Sequence, residues 1–169
     1  MDARELAHRR AVAAELAREA AARAAAMRAA GMAAATMKGA QDFLTEADGA
    51  TESFLRERLE SHFPGEAVLG EEQGGAVDPT GPLWVLDPID GTANFARGAD
   101  RWCVSVGLVL DGRAVAGAIA RHTTAEVFSG ARGQGATLNG APIRAAATDS
   151  LARATVELGW SLRRPLDEY

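Results

Sequence analysis

A short acidic segment has the residue types and spacing that could bind a cation and a phosphate. Asp87 and Asp90 lie on the two sides of Pro88, directly before Gly91, and the Glu-Glu pair 71–72 lies across a short spacer upstream. Hard cations such as Mg²⁺ prefer oxygen ligands, which carboxylates supply without His or Cys. Gly91 permits close approach of the backbone to a ligand. These features predict a divalent-metal and phosphate site.

The elements around this segment explain how it could be positioned. Residues 84–86 are apolar and predict a buried strand that ends just before Asp87. Pro88 lacks a backbone donor and has a fixed φ, so we expect the chain to leave regular pairing there and turn. Thr92 is expected to start a short helix through Ala96, whose first amides and dipole favour a phosphate.

The rest of the chain predicts helices first and strands afterwards. The Ala-rich residues 2–35 predict one long helix, or two, and Asp48 predicts the cap of another helix that runs to about Leu59. Asp111-Gly112 and Asn139-Gly140 between apolar runs predict hairpins. The predicted strands are residues 43–46, 67–70, 83–86, 103–110, 114–120, 126–129, 136–138, 142–143 and 156–160. This order favours a single α+β domain over residues 1–169, with N-terminal helices packed on a largely antiparallel sheet.

Charge and composition exclude several classes of protein. The net charge is −5, and the basic residues are scattered, so no basic face for nucleic acid is expected. The sequence has no apolar stretch of transmembrane length, and a cytoplasmic location is expected. The single Cys103 lies in an apolar run, which favours a small buried hydrophobe over a nucleophile.

Three motifs in order resemble the inositol monophosphatase family of Mg²⁺-dependent, lithium-sensitive phosphatases. The hexad Asp-Pro-Ile-Asp-Gly-Thr is complete at 87–92, Gly-Glu-Glu at 70–72 matches the family's acidic motif, and residues 38–48 match an N-terminal segment that ends in Thr-x-x-Asp. The resemblance implies the layered sugar-phosphatase fold. Family members usually continue further, with a Trp-Asp pair that supplies another metal ligand, and this sequence contains no Trp-Asp dipeptide. The chain is therefore expected to be a domain that lacks its C-terminal half.

The resemblance also implies a role for each residue of the site. Glu71, Asp87 and the backbone carbonyl of Ile89 would bind a first Mg²⁺, Asp87 and Asp90 would bind a second, and a third ion would share Glu71. Thr92 and Asp48 would orient the attacking water. The expected catalytic residues are Asp48, Glu71 and Thr92. The expected substrate contacts are Asp90, Gly91 and Thr92. The residues expected to support the site from behind the ligands are Glu72 and Lys38.

Each assignment has a structural alternative. Asp87 and Asp90 could be turn residues, since Asp is common before Pro and Gly. Asp48 could serve only as a helix cap, and Glu72 and Lys38 could be ordinary surface residues.

Several functions fit this pattern. We expect a Mg²⁺-dependent phosphomonoesterase that acts on a small polyol or sugar phosphate, with inositol 1-phosphate as the reference substrate, and that forms a homodimer. The alternatives are a histidinol-phosphate or fructose 1,6-bisphosphate phosphatase of the same family. A non-catalytic, metal-binding fragment is the other alternative, in which an apolar face of the sheet would be left uncovered.

Overall fold

Two long helices pack on one face of a seven-stranded sheet in the computed structural model, which describes residues 1–39, 42–75 and 81–157. The described helices are α1 (Ala3–Ala29), α2 (Glu46–His62) and α3 (Thr92–Ala96), with a 3₁₀ turn at Leu151–Arg153. The described strands are β1 (Ala35–Gly39), β2 (Asp42–Thr45), β3 (Ala67–Gly70), β4 (Leu83–Asp90), β5 (Cys103–Leu110), β6 (Arg113–Arg121), β7 (Glu126–Ala131), β8 (Gly135–Leu138) and β9 (Ala141–Ile143). The predicted α+β class is confirmed.

The sheet follows the order of the chain from β3 to β9. The β3–β4 pair is parallel, and the other neighbouring pairs are antiparallel, so the predicted meander is confirmed with one parallel addition. Asp111 and Asn139 have φ of 51° and 49° and each precedes a glycine of positive φ, as two-residue hairpin turns require. The hairpin β1–β2 is separate from this sheet and packs against α2 and α3.

Helix α1 is a single helix that ends before the predicted boundary. Asp2 caps it by accepting a hydrogen bond from the Glu5 amide at 2.8 Å, and the helix ends at Ala29. Small side chains on the buried face let the helix approach β5, β6 and β7 closely. The buried apolar residues of this face are Val12, Ala13, Leu16, Ala17, Ala20, Ala21 and Ala24.

The core lies between the helices and the near face of the sheet. Trp84 and Leu86 of β4 are buried there with Leu55 and Leu59 of α2. The opposite face exposes apolar side chains such as Ile119, as expected for an uncovered sheet. Among the described helices, none has an apolar stretch long enough to cross a membrane. Of the predicted last strand, residues 156 and 157 are not in a strand, and residues 158–160 lie outside the described residues.

Strand β4 is longer than the sequence pattern predicts, because the predicted strand ends before Asp87. It runs through Pro88 to Asp90, because the missing donor of Pro88 falls in a bulge. Asp87 pairs with Ser105 and Asp90 pairs with Cys103, so two residues of β4 oppose one residue of β5 between these pairs. The bulge therefore changes the spacing of the two carboxylates within a continuous strand.

Candidate metal and phosphate site

The parallel β3–β4 pair brings the two acidic motifs together. Gly70 is in register with Leu86, and the Glu71 amide donates to the Leu86 carbonyl at 3.1 Å. Glu71, the first residue after β3, therefore lies beside Asp87 of β4. Its side chain is exposed, whereas Asp87 is half-buried. Asp90 is also exposed and lies beyond the bulge. Glu71 and Asp90 both lie close enough to Asp87 for their charges to act on it.

Asp87 lies in an electrostatic environment that disfavours its ionised form. Burial, and next the negative charges of Glu71 and Asp90, raise the pKa of Asp87 to about 8, although the Ile89 amide opposes this shift. An opposite charge placed between the carboxylates would reverse it. Without a cation, Asp87 therefore keeps its proton at neutral pH, and a cation bound beside it would favour the ionised form.

The donor set fits a hard cation. Asp87 Oδ1 is buried and has no hydrogen-bond partner among the described residues, which is costly for a carboxylate oxygen unless another group binds it. Its neighbours Glu71 and Asp90 add only oxygen donors, the type that Mg²⁺ prefers. Within residues 1–39, 42–75 and 81–157, no group of three or more His, Cys, Asp or Glu side chains is arranged so that it could hold a metal ion. The carboxylates fit a metal by charge and donor type, but they do not form a closed set.

Gly91 separates the carboxylates from helix α3 and has a conformation that favours glycine. Its φ is 91°, and its carbonyl accepts hydrogen bonds from the amides of Asn94 and Phe95. A Cβ at this position would lie 2.7 Å from the Arg101 carbonyl oxygen. The predicted short helix from Thr92 through Ala96 is confirmed, and the chain passes the strand end as closely as glycine allows.

Replacing Gly91 by Ala should destabilise the chain by about 1–3 kcal/mol, since the left-handed conformation would be strained for a residue with a Cβ. The contact with the Arg101 carbonyl should add to this cost. Gly98→Ala is the matched control, because Gly98 has φ of 77° but open space around its Cβ position. Urea unfolding of both variants should show the larger loss for Gly91→Ala, and equal losses would contradict the close approach.

Asp48 and Thr92 meet across the fold, as predicted from the sequence. Thr92 Oγ1 lies 3.1 Å from Asp48 Oδ1 and 3.0 Å from the Ile89 carbonyl oxygen. The other Asp48 oxygen accepts hydrogen bonds from the amide and hydroxyl of Thr45. Thr45, not Asp48, is the N-cap of α2, so the predicted capping position was wrong, although Asp48 takes part in the capping box. Asp48 is buried and joins the helix start to the site.

Glu72 and Lys38 are the two residues expected to support the site. Glu72 is half-buried, and its amide donates to Glu52 Oε2 at 2.8 Å. Lys38 lies in β1, and its side chain is outside the described part of the structure. Sequence reasoning did not identify Glu52. The available signal was its position four residues after Asp48 on one face of α2.

A cleft of about 320 Å³ adjoins Asp90 and Gly91. Its polar walls include Asn94, Arg101 and Arg121. Cys103 also lines the cleft; it is half-buried rather than fully buried, and its thiol donates to Asp90 Oδ2 at 3.6 Å. Burial and the adjacent Asp90 raise the pKa of the Cys103 thiol to about 12. The thiol is therefore un-ionised near neutral pH.

Comparison with known proteins identifies the family. The inositol monophosphatase family profile matches residues 5–167. The chain is 37% identical over 121 residues to inositol monophosphatase 3 of Solanum lycopersicum, which covers 69% of this chain and 45% of that protein. It is 46% identical over 102 residues to inositol-1-monophosphatase of Mycobacterium bovis, which covers 57% of this chain and 35% of that protein.

Solved structures agree with this result. The chain superposes on the extragenic suppressor protein suhB of Bartonella henselae with a TM-score of 0.75 and 28% identity, over 81% of this chain and 54% of that one. It therefore spans about half the length of the relatives it matches, and the predicted layered fold is confirmed. The hexad at 87–92, the acidic turn and the Asp48–Thr92 contact are together explained by one conclusion. The chain belongs to the inositol monophosphatase family.

Proposed function

We propose that this chain carries the metal and phosphate site of a phosphomonoesterase that hydrolyses a small polyol or sugar phosphate. The observation that supports this most strongly is the buried Asp87 Oδ1, which has no hydrogen-bond partner among the described residues and lies in a half-buried carboxylate beside Glu71 and Asp90. A structural turn would not require so much negative charge around one buried oxygen. A cation site does.

Glu71, Asp87, the Ile89 carbonyl and Asp90 would hold Mg²⁺, in the two or three ions that the family resemblance implies. When bound, Mg²⁺ would neutralise phosphate charge and lower the pKa of water. The Ile89 carbonyl also accepts a hydrogen bond from the Thr92 hydroxyl. It could still bind a metal ion, because a carbonyl oxygen has two lone pairs. The three carboxylates would determine the charge of the site, and phosphate would approach from the exposed side of Glu71 and Asp90.

The Asp48–Thr92 pair would orient the attacking water. The Thr92 hydroxyl donates its one hydrogen bond to Asp48 or to the Ile89 carbonyl, and its lone pairs can then accept a hydrogen bond from water, with the Asp48 carboxylate as the base of the pair. Because Asp48 is buried and bonded to Thr45, the pair has little freedom to move. This arrangement supplies position and general-base assistance, the main protein contributions to phosphoryl transfer.

The substrate would contact Asp90, Gly91 and Thr92, with its body in the adjoining cleft. The donors Asn94, Arg101 and Arg121 on the cleft wall suit a hydroxyl-rich molecule better than an apolar one. Inositol 1-phosphate is the reference substrate. Lithium sensitivity, a homodimer and a cytoplasmic location stay predictions of the family resemblance.

The direct test is phosphate release from inositol 1-phosphate by this chain, titrated with Mg²⁺ and repeated with EDTA and with Li⁺. The expected result is Mg²⁺-dependent release that EDTA abolishes and Li⁺ lowers. Mg²⁺ binding without any phosphate release would contradict the catalytic part of the proposal but would still support the metal site. Neither binding nor release would contradict both parts.

A further inference from the structure

A buried carboxylate lies directly behind the acidic turn. Glu52 of α2 is completely buried, and it accepts hydrogen bonds from the amides of Glu72 at 2.8 Å and Gln73 at 3.2 Å. A buried charge is costly unless it is paired and hydrogen-bonded. Glu52 meets that condition through Arg56 and through the two backbone N–H groups that the turn directs at it, so the turn conformation and the buried charge depend on each other.

Arg56, one helical turn later, extends this contact to both sides of the turn. Its Nε donates to Glu52 Oε1 at 2.8 Å. Its two other guanidinium nitrogens donate to the Val68 carbonyl in β3 and to the Gly74 carbonyl at the far end of the turn. The rigid fork of Arg suits three acceptors at fixed positions. The Glu52–Arg56 pair therefore connects α2 to the strand before the turn and to the residue that closes it.

Gly70 allows this close approach. A Cβ on Gly70 would lie 2.1 Å from Glu52 Oε1, well inside contact distance. The Gly70 amide donates to the Gly74 carbonyl at 2.9 Å, and the Gly74 amide returns a bond to Gly70 at 3.1 Å. The turn is thus closed on itself and packed against the carboxylate. Glu71 is its first residue, and the Leu86 carbonyl holds the Glu71 amide beside Asp87.

We propose that Glu52, together with Arg56, is a positioning residue for the metal site: it holds the Gly70–Gly74 turn in the conformation that keeps Glu71 beside Asp87. This inference rests on the proposed function for the part that concerns Mg²⁺. Glu52 does not contact substrate or metal in this scheme. It acts through the backbone of Glu72 and Gln73.

The test is Glu52→Gln, which keeps the size of the side chain but removes its charge and one acceptor oxygen. Mg²⁺ binding by calorimetry should weaken by about 10–100-fold, as is typical when a group that supports metal ligands is removed. The Mg²⁺ concentration for half-maximal phosphate release should rise by the same factor, with little change of kcat at saturating Mg²⁺. Amide hydrogen exchange at Glu72 and Gln73 should become faster.

Glu66→Gln is the matched control. Glu66 also accepts a hydrogen bond from a buried Arg, at 2.6 Å from Arg9, and another from the Trp84 indole, but it does not contact the turn. The Glu66→Gln variant should be less stable than the parent chain, with unchanged Mg²⁺ affinity and unchanged amide hydrogen exchange at Glu72 and Gln73. If Glu52→Gln does not fold, Arg56→Lys keeps the charge but loses the fork, and should give a smaller change in the same direction.

Two results would overturn the inference. One is unchanged exchange at Glu72 and Gln73 in the Glu52 or Arg56 variant. The other is an equal loss of Mg²⁺ affinity in Glu66→Gln, which would reflect general destabilisation. If the parent chain binds no Mg²⁺ while the two amides are protected only when Glu52 is present, the role of Glu52 in holding the turn is supported, and the proposed function fails separately.

Discussion

Replacing Asp87 by Asn is expected to raise the thermal stability of the metal-free chain at pH 8 and to abolish its Mg²⁺-dependent phosphate release. Asp87 is half-buried, and burial together with Glu71 and Asp90 disfavours its charge. Asn keeps the size of the side chain and removes that charge, so the repulsion disappears. The same change removes one oxygen and the negative charge from the central carboxylate of the proposed metal site.

The pH dependence of this effect has a defined sign. Because the pKa of Asp87 is raised from 3.8 to about 8, the folded chain binds the Asp87 proton more tightly than the unfolded chain. The stability associated with this proton is complete below about pH 4, decreases as the pH rises, and is lost above about pH 8. The advantage of the Asn variant should therefore grow between pH 5 and pH 8.

Thermal unfolding in EDTA at both pH values measures this difference. Asp149→Asn is the control, because Asp149 is an exposed carboxylate that pairs with Arg153. Added Mg²⁺ should raise the Tm of the parent chain at pH 8 by binding the folded state, and should not raise that of Asp87→Asn. A variant that is less stable than the parent at pH 8 without metal, or that still releases phosphate, would contradict this account of Asp87.

Local sequence patterns were sufficient to predict most of the helices and strands. The hairpin turns at Asp111-Gly112 and Asn139-Gly140 have the backbone angles that their residue types favour, so the strands beside them were predicted closely. The hexad at 87–92 indicated the glycine and the short helix that follows it, because these residues are adjacent in the chain. The local structure of adjacent residues can be predicted with little information about tertiary contacts.

The errors occurred where distant segments decide the local structure. Pro88 stops a strand only if its missing donor breaks the pairing, and here β5 accommodates it with a bulge. Both Thr45 and Asp48 are suitable caps by residue type, and Thr92 binds Asp48 from across the fold. Glu52 was not identified from the sequence because its partners, the amides of residues 72 and 73, lie in another segment.

Replacing Thr92 by Ala should lower kcat by about 10²–10⁴-fold, the usual contribution of a positioned proton-transfer group. Thr92 lies 3.1 Å from Asp48 Oδ1, and the variant removes the hydroxyl that would orient water. Mg²⁺ affinity should change little, because no side-chain atom of Thr92 is among the proposed metal ligands. Thr92→Ser is the control and should retain most of the activity.

Asp48→Asn should reduce kcat to a similar extent but also lower the free energy of unfolding by about 0.5–2 kcal/mol, the usual cost of a lost helix cap. Asp48 Oδ2 accepts bonds from Thr45, so its loss weakens the start of α2 as well as the site. The double variant should be no slower than the slower single variant, because residues that act as one unit are not additive. Steady-state kinetics at saturating Mg²⁺, calorimetric Mg²⁺ binding and urea unfolding separate these effects. If Thr92→Ala instead weakens Mg²⁺ binding by the same factor as it lowers the rate, Thr92 acts on the metal site and not on water.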